Sequence, residues 1–427
     1  MQTGAIVSED PAMNTMPKKF SKIGVMVGLL VAIVATTIPA GAAVDTAVLV
    51  PTPAPGSSSY LRSVSCPTAT SCIAVGDTWD GTSTLSLVES WDGAAWTVVA
   101  SPSVSGSPSY LRGVSCVDSS FCFAVGGVAS PSGDQTLTLM WDGSSWTIVP
   151  SPGGSANSRL NSVSCVSASF CVAVGFEATQ TATLALIWDG NAWSTSSTSS
   201  PETYNELTSV ACVSATFCMA VGAASSGTWE ATAFDWDGLG WNAITIPNAE
   251  TGYYVRSISC LTADFCVFTG VSNAPPQNGI AGFWDGSAWT LDTSFVVDPG
   301  SGLDLDSIDC VTEQSCVIAG GRYLASGPQE PLMIEWSGTS WSEIAAPADS
   351  VTDYSELYSV SCATQWSCMS VGYYEPIRPD TTRPDVTLAI EVTGTEPPAP
   401  TTTTTTMTPP TTATTTGTDL VVPVFTG

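Results

Sequence analysis

The feature that most constrains this chain is a cysteine pair that recurs seven times. The first members are Cys66, Cys116, Cys165, Cys212, Cys260, Cys310 and Cys362, spaced 47 to 52 residues apart. The second members follow six positions later, at Cys72, Cys122, Cys171, Cys218, Cys266, Cys316 and Cys368, so the pairs use all 14 cysteines. A glycine comes four residues after each pair, from Gly76 to Gly372, and six copies go on to a tryptophan pair such as Trp188/Trp193 in WDGNAW. Self-similarity at this period marks a solenoid, a propeller or a domain array, in which each repeat buries its apolar face on the next.

The repeat reads as all β. LNSVSC, FCVAVG, TLALIW and the run after WDG are short, rich in Val, Leu, Thr and aromatics, and bounded by Gly, Ser, Pro and Asp, with no helical period. Asp-Gly between two such runs signals a hairpin with both turn residues at positive φ. Four strands in about 48 residues match one propeller blade. The expected fold is therefore an all-β, seven-bladed β-propeller of four-stranded blades over residues 44–394. Its repeats lie near 60–100, 110–150, 159–198, 206–247, 254–295, 304–346 and 356–394. The seventh copy lacks its fourth strand, since Val392 and Gly394 stand where Trp-Asp-Gly would be. Ala47–Pro53 (AVLVPTP) resembles Trp146–Pro152 (WTIVPSP), and eight residues separate each from the next inner strand. Residues 46–53 are thus expected to complete blade seven and remove its open edge.

The two ends differ from the repeats. Lys18, Lys19 and Lys22 precede an apolar run from Ile23 to Ile38 and then PAGAA, so residues 1–43 read as a signal peptide, with an uncleaved membrane anchor as the alternative. Residues 395–427 contain a Thr/Pro-rich tract of the extended, stalk-forming kind and end in LVVPVFTG. An even cysteine count in an exported chain reads as disulfides, here within each pair: Cys66–Cys72, Cys116–Cys122, Cys165–Cys171, Cys212–Cys218, Cys260–Cys266, Cys310–Cys316 and Cys362–Cys368. Paired thiolates on metal would need further ligands, and the chain has no histidine. Removing residues 1–42 leaves no lysine, seven arginines and 36 acidic residues, a net charge of −29. Such a surface repels phosphate backbones, so nucleic acid is not an expected partner.

The cysteine hairpins and WDG turns share one rim, and the opposite rim carries loops that differ from repeat to repeat. Binding residues sit on loops held by a rigid scaffold. The residues flanking the leading Leu or Val of each LxSVSC strand ring the channel mouth on the variable rim. The ligand-binding candidates are Tyr60, Arg62, Tyr110, Arg112, Arg159, Tyr254 and Arg256, with Trp79 and Trp229 in variable loops. The competing reading is that these pairs tie neighbouring blades together. The paired tryptophans read as cross-strand packing. Without histidine, Ser-His-Asp and Cys-His catalysis are excluded. If the chain is an enzyme, Glu206, Asp304, Asp306 and Glu356 are the carboxylates for glycoside cleavage. No metal site or cofactor is expected, though Asp304, Asp306 and Asp309 supply oxygens that calcium accepts.

The SVSCxxxxxCxAVG and WDGxxW units resemble those of secreted bacterial β-propeller repeat proteins with paired-cysteine blades, over about residues 46–394. WDGxxW is also similar to the Asp-box turn of sialidase-type propellers, with its glycine one residue early, and more distantly to kelch-type propellers. The resemblance supports the fold and implies no activity. The expected function is an exported, non-enzymatic, monomeric binding or adhesion module, secreted or at the cell surface, whose partner is carbohydrate or protein. It would touch the membrane only through an uncleaved leader. The alternatives are an extracellular carbohydrate-active hydrolase or lyase, and a structural component of an extracellular assembly.

Overall fold

The computed structural model describes residues 44–394 except 105, 154–156, 178–181, 197, 199–203, 248–251, 273–277, 293–301, 325–328, 348–351 and 377–384. The leader and the Thr/Pro tract lie outside the described residues. Every regular element among the described residues is a β-strand. In the third repeat, Arg159–Ser167 pairs with Phe170–Glu177, which pairs with Ala182–Trp188, which pairs with Trp193–Ser196. The other repeats follow this antiparallel order from inner to outer strand. Five are separate four-stranded sheets, while the sixth and seventh are joined into one eight-stranded sheet by a single parallel bridge, Gln329 to Tyr354. The strand Val44–Leu49 pairs with Val386–Gly394, placing Ala47 opposite Val392 and Leu49 opposite Ile390. The first strand thus supplies the outermost strand of the last repeat.

Inner strands of successive repeats pack on one another, and the seventh packs on the first, which is the β-propeller arrangement. The core sits between repeats. Phe123 and Val125 of repeat two, for example, pack with Leu160, Val163, Leu186, Trp188 and Trp193 of repeat three. The SVSC motif explains how adjacent inner strands are held. Ser162 and Ser164 hydroxyls accept hydrogen bonds from the Val210 and Cys212 N–H groups of the next repeat, at 3.3 and 3.0 Å. Ser359 and Ser361 do the same for Val64 and Cys66, carrying the pattern from repeat seven to repeat one. In repeat six Asp309 takes the second serine's place and accepts from Cys362 N–H at 2.7 Å. Each bond satisfies a backbone donor that a closed ring would otherwise leave unpaired.

Each repeat also carries its own disulfide, from Cys66–Cys72 to Cys362–Cys368, and no cysteine is free. Seven such bridges suit an oxidising compartment. Trp188 and Trp193 face each other across the third and fourth strands with ring centroids 5.7 Å apart, and Trp188 Nε1 donates to the Ala168 carbonyl in the cysteine hairpin at 3.0 Å. Trp141, Trp236, Trp284 and Trp336 repeat that bond. These rings pack the structural rim. The turn between the paired tryptophans corrects one expectation. Trp91 pairs with Trp96 across a four-residue loop, and of Asp92 and Gly93 only Gly93 has positive φ, 90°. Asp92 Oδ1 instead accepts the N–H groups of Ala94 and Ala95, each at 2.9 Å, so the aspartate closes the turn with its side chain.

Candidate functional site

Seven β-bulges build the channel mouth. In repeat one, Leu61 pairs with Gly76 and Ser63 with Val75, leaving Arg62 without a ladder partner. The same skip strands Arg112, Asn161, Thr208, Arg256, Asp306 and Tyr358. Two sequence features cause it. The apolar pair of each inner strand, such as Leu61 and Val64, is buried in the same cluster although its members are three residues apart. A regular strand would point them to opposite faces, so one residue must bulge. The glycine of the second strand makes room: a Cβ there would lie 1.8 to 2.2 Å from the carbonyl oxygen of the residue before the leading Leu or Val. All seven bulged side chains line one cavity of about 420 Å³, joined by Arg159, Tyr204, Glu206 and Tyr254. Every repeat therefore contributes to this cavity.

The charges of the mouth are mostly paired. Arg62 bonds Asp77 at 3.1 Å, Arg159 bonds Glu206 of the next repeat at 3.2 Å, and Arg256 bonds Asp304 and Asp306 of the next repeat at 3.2 and 3.1 Å. Glu206 also accepts from Asn161 at 2.9 Å, Tyr204 at 2.7 Å and Tyr254 at 3.3 Å. Burial works against the Arg256 charge, yet Asp306 and Asp304 more than offset it and raise its pKa. Arg112 differs. It makes no ion pair, its buried Nε has no hydrogen-bond partner, and its guanidinium lies 5.4 Å from the Tyr110 ring. Burial lowers its pKa, and the neighbouring guanidiniums of Arg159 and Arg62 push the same way.

Across the mouth, burial holds the Asp306 carboxyl well above the usual carboxylate range; Arg256 opposes this and Glu356 adds to it. Burial raises Glu356 as well. Asp304 is engaged by Arg256 and by the Tyr323 hydroxyl at 2.9 Å. No group of three or more His, Cys, Asp or Glu side chains capable of holding a metal occurs among the described residues, so the carboxylates of Asp304, Asp306 and Asp309 do not assemble a calcium ligand set there.

Of the nine ligand candidates, the structure brings Arg62, Arg112, Arg159, Tyr254 and Arg256 to the cavity wall. Tyr60 and Tyr110 turn away, their hydroxyls bonding Asp385 and Asp134. Trp229 packs edge-on between Tyr204 and Tyr254, with centroids at 4.8 and 5.2 Å, so it braces two mouth tyrosines. Trp79 is 43% exposed at a strand end. Glu206 and Asp306 line the mouth, whereas Asp304 and Glu356 do not. Tyr204 is a wall residue the sequence reading did not single out. A larger cavity, about 550 Å³, lies between the last two repeats beside Leu49 and Thr387. Its arginine, Arg322, is already paired with Glu330 and Glu343, so the mouth, which holds the unpaired cation, is the stronger candidate.

No protein-family model and no curated protein matches the sequence. Among solved structures the chain is similar to YCF48 bound to a D1 peptide, at 14% identity over 82% of this chain and 96% of that one, with a TM-score of 0.50. It is also similar to a protein of unknown function from Dyadobacter fermentans, at 10% identity over 84% and 100%, with a TM-score of 0.52. A third, at TM-score 0.48 and 10% identity over 78% and 95%, is the β-propeller domain of the Trilobed protease from Pyrococcus furiosus. At these identities the likeness concerns the fold.

Proposed function

We propose that the chain is an exported seven-bladed propeller, closed by its N-terminal strand, that binds a ligand at its channel mouth without turning it over. The carrying observation is the contrast within each repeat. Staples, clamps and tryptophan pairs recur almost unchanged, while the seven bulges present Arg, Arg, Asn, Thr, Arg, Asp and Tyr to one shared cavity. Its size falls in the range of small-ligand sites. Of the two carboxylates in the mouth, Glu206 is spent on four donors and Asp306 is held by Arg256. Export is supported by the leader-like N-terminus and the seven disulfides. YCF48, which is similar in fold and was solved bound to a D1 peptide, is one instance of a similar structure holding a ligand.

The test pairs a glycan and peptide array with a hydrolysis screen on the same purified protein. Saturable binding without product is expected, abolished by Thr208→Trp, which fills the mouth, and kept by Trp79→Ala. Turnover that disappears in Asp306→Asn would replace this reading with the carbohydrate-active enzyme.

A further inference from the structure

We infer that the mouth seats a single carboxylate on the Arg112 guanidinium, and that the carboxylate is borne on a sugar ring. This rests on the reading of the mouth as a ligand site and specifies what the ligand must carry. Every other arginine among the described residues has a carboxylate partner: Arg62, Arg159, Arg256 and Arg322. Arg112 alone among them has none, although its bulge holds it in the cavity wall and its Nε is shut off from solvent.

The magnitudes say that something is missing. Arg112 is half-buried, with its Nε shut off from solvent, so its charge is partly desolvated with no carboxylate to answer it, although its cost is less than the several kcal/mol of a fully buried unpaired ion. The Tyr110 ring at 5.4 Å returns only about 0.5–2 kcal/mol. Arg62 and Arg159 are neutralised by Asp77 and Glu206, so the basic side of the mouth is left with one uncompensated charge. One charge calls for a monoanion. The chain's net charge of −28 disfavours a polyanion, whereas a lone carboxylate inside the mouth meets the local field of Arg112. A guanidinium also matches a carboxylate with two parallel N–H···O bonds.

The rest of the wall selects the carrier. No Leu, Ile, Val, Met or Phe lines the cavity, so an apolar peptide side chain would find no seat. Tyr204, Tyr254 and Tyr358 present ring faces instead, on which a sugar ring can stack, and the hydroxyl oxygens of Tyr204 and Tyr254, which already donate to Glu206, can still accept from sugar hydroxyls.

The test is titration calorimetry on the full exported chain with galacturonate. The comparison ligands are galacturonate methyl ester, galactose, and N-acetyl-triglycine with its carboxylate free or amidated. Galacturonate should bind, with the ester and galactose about ten- to hundredfold weaker, the loss expected for one charge-assisted contact. Arg112→Gln should lose the same factor and Arg112→Lys should recover part of it. Without ligand, Arg112→Gln should melt no lower than the parent, since it removes an unpaired charge; an arginine serving only the fold would lower the melting temperature. Equal binding of acid, ester and galactose, unaffected by Arg112→Gln, overturns the inference while leaving a ligand-binding mouth. Preference for free N-acetyl-triglycine over galacturonate overturns the sugar carrier in favour of a peptide terminus. No binding of any probe overturns this inference, and the parent reading falls with it only if the glycan and peptide array is also blank.

Discussion

Glu89, in the third strand of repeat one, has 0% of its surface exposed, and neither carboxyl oxygen has a hydrogen-bond partner. It lies two residues from Leu87 and from Trp91, whose side chains pack against Met369, Val371 and Ala389 of repeat seven, so it shares that face. The corresponding positions are Leu139, Leu186, Phe234, Ile334 and Ile390. Repeat five has Gly282 there, its space filled by the Phe268 ring. Burial pushes the Glu89 carboxyl up to about 8 from an ordinary 4.5. The unfolded chain releases this proton near pH 4.5 and the folded chain keeps it until about pH 8, so the native state binds more protons between the two and stability falls as pH rises. At about 1.4 kcal/mol per pH unit, the loss between pH 5 and pH 8 is on the order of 3 kcal/mol. For a fold of about 350 residues that corresponds to roughly 4 °C of melting temperature. Calorimetry at both pH values should show Glu89→Gln abolishing this component of the pH dependence. Glu89→Leu, which restores the side chain of repeats two and three, should melt higher than the parent at pH 8. Parallel melting-versus-pH curves for parent and Glu89→Gln would refute the reasoning.

Two further perturbations probe the framework. Gly175→Ala puts a Cβ 2.0 Å from the Arg159 carbonyl oxygen; it should cost about 3 kcal/mol by chemical denaturation and weaken mouth ligands by displacing Arg159 and Asn161. Asp309 is buried, and its pKa is pushed up to about 6 from 3.8, chiefly by burial and against the pull of the Cys362 N–H, so its site loses stability as pH rises from about 4 to 6. Asp309→Ser, the residue of most repeats, should therefore melt higher than the parent at pH 7 and gain nothing at pH 3.

The period, the strand content, the within-pair disulfides and the pairing of the first strand with the last were legible because each is written in local spacing. The pairing of charges was not. Arg62 takes its partner from its own second strand at Asp77, whereas Arg159 and Arg256 reach carboxylates of the following repeat. Which acid answers which arginine depends on where the inner strand sets each side chain against the seam, at the bulge for Arg62 and Arg256 and two residues ahead of it for Arg159. The sequence leaves open whether the flanking residues tie repeats together or face a ligand, and the structure divides them: three mouth arginines are tied down and Arg112 is left over.

The bulges themselves were written in the sequence in a form that strand alternation hides. Leu160 and Val163, or Val255 and Ile258, are three residues apart and yet enter the same core cluster. An odd apolar spacing inside a β-strand demands an unpaired residue, and a glycine opposite, whose missing Cβ leaves room for a carbonyl, shows where the chain can accommodate it. The physical consequence is a division of labour within six residues. Core packing fixes the Leu and the Val, and the clamp to the next repeat fixes the serines. The bulged residue is read by neither the core nor the ladder, so its identity can differ in every repeat without disturbing the ring. Variation is therefore concentrated at the point where all seven inner strands converge, and Arg112, lacking a ladder partner and a counterion alike, is where that freedom leaves an unanswered charge.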